Sequence, residues 1–150
     1  ASLHSTLSEI SKAQEINMHD GVKMILELPE KDTVIYTDAA RLGQVVNNLI
    51  NNAVKFTRKG SISLGYRQIC DDEVEIYVKD TGEGMSEEVL AHIFERFYKG
   101  NAFVQGTGLG LAICRTIIER FHGKINVTSK EGEGTCFTVT LPLQVAIQFA

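Results

Sequence analysis

The chain has 150 residues, 43% hydrophobic and 23% charged, with a formal net charge of -4. That is enough for one globular domain with a real core, and the acidic balance argues against a general nucleic-acid surface. No apolar run approaches the roughly 20 residues of a membrane-spanning helix, and Ala1-Ser2-Leu3-His4 lacks the basic and apolar regions of a secretory leader.

In chain order, Ser5 to Gln14 reads as a short helix with Leu7 and Ile10 on one side and Ser5 or Thr6 as cap. Val22 to Leu28 alternates, Val22, Met24, Leu26 and Leu28 against Lys23, Ile25 and Glu27, which predicts a half-buried strand. Val34-Ile35-Tyr36 reads as a second, short strand. Asp38 caps a long helix to about Phe56, which Gly60 stops. Ser61 to Cys70 and Glu73 to Lys79 form a hairpin turning at Asp71-Asp72. Ser86 caps a helix through about Phe94, with Glu87 and Glu88 favourable in its first turn. After a loop over 98–107, Gly108 opens a helix to Phe121 that His122-Gly123 closes. Lys124 to Ser129 and Thr135 to Leu141 make a last hairpin.

Helices and strands mix without a regular βαβα series, and two hairpins make much of the sheet antiparallel. The expected fold is a two-layer α/β sandwich with helices on one face of a mixed sheet. Residues 1–15 are expected to be a linker or docking helix, 16–143 the main domain and 144–150 a tail. Cys70, Cys114 and Cys136 sit in apolar contexts and read as reduced packing residues.

Four blocks carry chemistry. On the long helix, Leu42, Val45, Val46, Leu49, Ile50, Ala53 and Phe56 form the apolar stripe, while Asn48, Asn52 and Lys55 share a second stripe beside it. An amide oxygen ligates a hard cation without adding charge, and lysine reaches phosphate as a point charge. Asn47 and Asn51 read as solvated. Asp80-Thr81-Gly82-Glu83-Gly84-Met85 follows a strand. Its carboxylate can accept from an exocyclic amine, and Gly82 and Gly84 permit a close approach to a flat ring. Phe94 and Phe97 flank Arg96 and precede Tyr98 and Lys99. Gly106-Thr107-Gly108-Leu109-Gly110 opens a helix, where free N–H groups and the helix dipole favour phosphate. No Lys-Ser/Thr follows it, so it is not a Walker loop. Taken alone, each block has a plain structural reading: a solvated face, an Asp-Gly turn, aromatic packing, a glycine-rich helix start. Their order and joint presence are what point beyond those readings.

In that order the blocks resemble the Asn, G1, F and G2 boxes of the ATP-binding catalytic domain of two-component sensor histidine kinases, over roughly Ile16 to Leu143. The wider relatives are the gyrase, heat-shock chaperone and mismatch-repair ATPases, which share this Bergerat-type fold. The resemblance implies ATP and Mg²⁺ as ligands, with Asn48 and Asn52 holding the metal. It places Lys55 and Phe56 near phosphates and ring, Asp80 at adenine with Gly82 and Gly84 beside it, and Gly106, Thr107, Gly108, Leu109 and Gly110 around the triphosphate. Arg96 and Lys99 would add charge near the outer phosphates, and Tyr98 to Gln105 would be a short lid. Where the ATPase relatives carry a water-activating glutamate, one turn before Asn52, this chain has Asn48, which favours a kinase. None of His4, His19, His92 and His122 has the context of a phosphoacceptor. The implied partners are therefore a dimerising, histidine-bearing hairpin upstream in the same protein and a response-regulator receiver domain, in a homodimer whose ATP domain is cytoplasmic and touches neither membrane nor nucleic acid. Two alternatives stay open: a protein-serine kinase of the anti-sigma type, and a non-catalytic ATP-binding signalling module.

Overall fold

The structure is a computed structural model that describes residues 2–95 and 110–143. The elements are α1 (Leu3–Gln14), a short 3₁₀ turn (Glu15–Asn17), β1 (Val22–Glu27), α2 (Ala39–Phe56), β2 (Gly60–Cys70), β3 (Glu73–Asp80), α3 (Glu87–His92), α4 (Gly110–Arg120), β4 (Lys124–Lys130) and β5 (Gly134–Pro142). The strands form one sheet in the order β1-β2-β3-β5-β4. β1 and β2 are parallel, joined across α2, and the other pairs are antiparallel. The expected two-layer α/β sandwich with a mixed, mostly antiparallel sheet is the fold observed.

Side-chain alternation builds the two faces. Register aligns Met24 with Ile62, Leu64 with Val78, Val78 with Phe137, and Phe137 with Val127. These residues share the face beneath the helices. Lys79, Cys136 and Thr128 line up on the other face. α2 lays Leu42, Val45, Val46, Leu49, Ile50 and Ala53 on the core, each almost fully buried, as its periodicity demands. α4 adds Ala112, Cys114, Ile117 and Ile118. It ends in a Schellman arrangement: His122 takes the left-handed conformation at φ 61°, its N–H donates to Glu119 O, and Gly123 N–H donates to Ile118 O at 2.9 Å.

Several local expectations are corrected. α1 begins at Leu3, and its cap is Ser2, whose side chain accepts from Ser5 N–H; Ser5 and Thr6 lie inside the helix. Residues 34–36 form no ladder strand. Val34 makes a single antiparallel bridge to Ser2, and Tyr36 N–H donates to Leu143 O. α2 ends at Phe56 as expected, but its C-cap is Thr57, and Gly60 already starts β2 instead of stopping the helix. α3 stops at His92, short of Phe94. Cys70 is exposed, so the apolar-packing reading holds for buried Cys114 and not for Cys70. Asn47 and Asn51 are not simply solvated: their Oδ1 atoms accept from Gln14 Nε2 at 2.9 and 3.1 Å, tying α1 to α2.

Further contacts anchor the start of α1. Leu3 N–H donates to Thr33 O, and His4 N–H donates to Asp32 Oδ1 at 3.1 Å. The His4 ring lies between Pro29 O and the Tyr66 hydroxyl. The carbonyl can only accept, so Nε2 carries a proton. Leu3, Leu7 and Ile10 are buried in the common core. None of the described helices is long and apolar enough to cross a membrane.

Burial of Leu7 predicts that α1 unfolds together with the rest of the domain. Leu7→Ala should cost about 2–5 kcal/mol in denaturant unfolding followed by circular dichroism, in one transition. An unchanged main transition would show that α1 is a separable appendage.

Candidate functional site

The site is assembled where the C-terminal end of α2 meets the C-terminal end of β3. β3 delivers Asp80 on its inward face, opposite Thr135 of β5. Asp80 is 5% exposed. Its Oδ1 accepts from Gly82 N–H at 2.9 Å and from Thr135 N–H at 3.2 Å. Burial raises the carboxyl pKa, and the Gly82 and Thr135 N–H groups oppose that rise. The Thr57 hydroxyl beside it, without a formed hydrogen bond, pulls in the same direction to a lesser degree. Two backbone donors occupy Oδ1, and Oδ2 is left to accept from a ligand.

The turn after Asp80 is clamped from both sides. Glu83 N–H donates to Phe56 O at 3.1 Å, and Gly132 N–H donates to Glu83 O at 2.7 Å. Met85 N–H donates to Ser129 Oγ at 2.8 Å. Ser129 Oγ in turn donates to Gly134 O. Its single proton is thereby used, so Thr135 is the donor in the 2.8 Å contact between the Ser129 and Thr135 hydroxyls. The two glycines serve this clamp. A Cβ on Gly82 would lie 2.2 Å from Phe56 O, and one on Gly84, at φ 72°, would lie 2.0 Å from Lys130 O. Their bareness lets protein backbone approach protein backbone.

Asn48 and Asn52 are both half-buried on α2, Phe56 is half-buried and Lys55 is exposed. The Cys114 thiol donates to Val45 O at 3.8 Å, and burial pushes its pKa up to about 11, a rise that the neighbouring Asn48 amide partly offsets. Gly110 is the first residue of α4. The other end of α4 lies against Thr140 and Leu141, far along β5 from Thr135, where a Cβ on Gly123 would meet Thr140 O. An 11-residue helix is about 16 Å long, and its first half lies against α2 through the contact of Cys114 Sγ with Val45 O. Phe94 packs edge-on against Phe137, at 6.3 Å between ring centroids, beneath the Arg115 guanidinium.

Asp80, Gly82 and Gly84 thus share one turn, and Phe56 meets that turn through its carbonyl. Arg96, Lys99, Gly106, Thr107, Gly108 and Leu109, with the expected lid over 98–105, lie outside the described residues. Thr57, Ser129 and Thr135 belong to the site by contact, and sequence spacing does not single them out. Thr57 directly follows the asparagine block; Thr135 is found only once β5 is known to pair with β3.

Asp80 carries a sign that stability can read. Its folded-state pKa is raised, so full stability is present below the unfolded value near 3.8 and is lost as pH rises through the folded value. Asp80→Asn still accepts at Oδ1. Without ligand it should be as stable as the parent or more so at pH 7, with the gain vanishing toward about pH 3 in thermal melts. A clear loss at pH 7 would mean that the charge serves the fold.

Comparison with known proteins identifies the family and the fold. Residues 37–145 match the family of histidine kinase-, DNA gyrase B- and HSP90-like ATPases. Sensor protein SrrB of Staphylococcus aureus is 42% identical over 130 residues, covering 81% of this chain and 21% of SrrB; the chain thus spans about a fifth of the curated relatives it matches. Full-length ShkA in complex with AMPPNP superposes with a TM-score of 0.85 at 31% identity, over 96% of this chain and 30% of ShkA. The catalytic domain of histidine kinase ThkA superposes with a TM-score of 0.82 at 28% identity, over 96% of this chain and 97% of that domain. The chain belongs to the histidine kinase-, DNA gyrase B- and HSP90-like ATPase family, and within it is similar to the catalytic domains of sensor histidine kinases.

Proposed function

We propose that this domain binds Mg²⁺-ATP and transfers the γ-phosphoryl group to a histidine on a helical hairpin of the same protein. The observation that carries the reading is Asp80, a buried carboxylate with one oxygen held by two N–H groups and the other left to accept. An adenine amino group supplies the matching donor. The complex of ShkA with AMPPNP supports a triphosphate ligand.

Asn48 and Asn52 fit a magnesium ion by donor chemistry: two neutral amides one turn apart on a half-buried helix flank. Bound there, the ion would neutralise charge on the outer phosphates. Lys55, Arg96 and Lys99 would add charge, and Phe56 would flank the ring. Gly106, Thr107, Gly108, Leu109 and Gly110 would offer N–H groups at the start of α4. In the transfer, an imidazole nitrogen forms a bond to the γ-phosphorus. The bond to the bridging oxygen breaks, its electrons leave on ADP, and the ring loses a proton to a base outside this chain. Asn48 stands where a carboxylate would deprotonate water, so hydrolysis is slow. Residues 1–15 would dock on the ATP-binding domain at 16–143. The full-length protein would be a homodimer in the cytoplasm or anchored to its membrane, and would pass the phosphoryl group to a receiver domain.

With γ-labelled ATP, the chain alone should take up no stable label and release phosphate slowly. Supplying the cognate hairpin should give acid-labile label on the hairpin, because in-line positioning is then complete. Asp80→Asn should weaken ATP binding by about 1–3 kcal/mol in calorimetry. Acid-stable label would move the protein to serine kinases, and rapid phosphate release to hydrolases.

A further inference from the structure

Thr57 is fully buried at the end of α2, and its hydroxyl has no hydrogen-bond partner. Among the described residues only Thr37 Oγ1, beside the start of α2, shares that condition. A hydroxyl left unpaired in the interior costs free energy, so one retained at a ligand site calls for an explanation. Its surroundings supply one. Thr57 Oγ1 faces the Asp80 turn, 2.8 Å from the position that a Cβ on Gly82 would take. The same turn is tied to the preceding residue through Phe56 O and Glu83 N–H. Of the Asp80 carboxylate, Oδ1 is already taken by two N–H groups. Thr57 therefore stands beside the carboxylate with its proton unspent.

We propose that Thr57 is a positioning residue that sets base specificity: when a purine seats against Asp80, the Thr57 hydroxyl donates to that carboxylate and holds it as a pure acceptor. The inference rests on the reading of Asp80 as the base-binding group. Its consequence is selectivity. A carboxylate kept free of protons welcomes a ring with an amino group at the 6-position and repels one with a carbonyl there. A protonated Asp80 could donate to the carbonyl and would blur the distinction. The hydroxyl already opposes protonation of Asp80 in the ligand-free protein, and a fully formed hydrogen bond would oppose it more.

The test compares the whole chain with Thr57→Val, Thr57→Ser and Asp80→Asn, titrated calorimetrically with Mg²⁺-ATP and Mg²⁺-inosine triphosphate between pH 5 and pH 8. Valine keeps the shape and removes the hydroxyl. Thr57→Val should melt at or above the parent temperature without ligand, since an orphaned hydroxyl is gone. It should bind ATP roughly tenfold more weakly, show a smaller ratio of ATP to inosine triphosphate affinity, and need a higher pH to reach full affinity. Thr57→Ser should restore affinity, ratio and pH profile together. If Thr57→Val keeps the parental affinity ratio and pH profile while Asp80→Asn loses ATP, the role of Thr57 is overturned and the base site stands. Thr57 loses its role equally if Thr57→Val is destabilised and serine fails to restore specificity. If the parent binds both nucleotides alike, or Asp80→Asn binds ATP as the parent does, the base site itself falls and this inference with it.

Discussion

The contact between Phe56 O and Glu83 N–H joins the two layers of this domain at its functional end. On one side of it is a long helix that carries the polar stripe of Asn48, Asn52 and Lys55. On the other is the turn that carries Asp80. The helix is fixed on the sheet by six buried apolar side chains, and that burial sets its height but not the position of its last carbonyl along the strand direction. The backbone contact sets that. It requires a residue without a Cβ at Gly82, so the glycine is demanded by the meeting of helix and turn before any ligand arrives.

The carboxylate is costly for the fold, and the structure limits the cost without removing it. Two N–H groups offset part of the desolvation of Asp80, and the net effect still raises its pKa. A protein optimised for stability alone would place an apolar residue there, as at Val78 and Phe137 on the same face. Thr57, Asp80 and Thr135 are buried polar residues gathered at one end of a layer otherwise built from packed hydrocarbon. This local conflict with packing is what a binding site looks like before its ligand is present.

Much of the fold was legible in periodicity. The stripe on α2, the alternation in β1 and β3, and the two hairpins follow from spacing alone, because each is governed by neighbours within a few residues. The errors share a cause. Val34 to Tyr36 has strand composition, but its partners are Ser2 and Leu143, at the two ends of the described chain. Asn47 and Asn51 look solvated until α1 is folded against them. At the site, Asp80 and its glycines were legible as a block. Thr135 and Ser129 were not, since their places depend on β5 lying between β3 and β4. The one local signal for Thr57 is its place directly after the asparagine block; its meaning lies in the hydroxyl's surroundings.

The hydrogen bond from Thr135 N–H to Asp80 spans 55 residues of sequence, and that separation fixes an order of assembly. β1, α2, β2 and β3 can pair as soon as they exist, because their contacts are comparatively local. The second donor to Asp80 arrives only with β5. During synthesis, at roughly 5–20 residues per second, a nascent chain would hold its carboxylate with Gly82 alone for a few seconds. Closing so long a loop is slow compared with forming a helix. The candidate site is therefore among the last parts of the domain to mature, and a chain cut short before Thr135 would lose β5, and with it the strand that joins β4 to the sheet, leaving β1, β2 and β3 without a finished site.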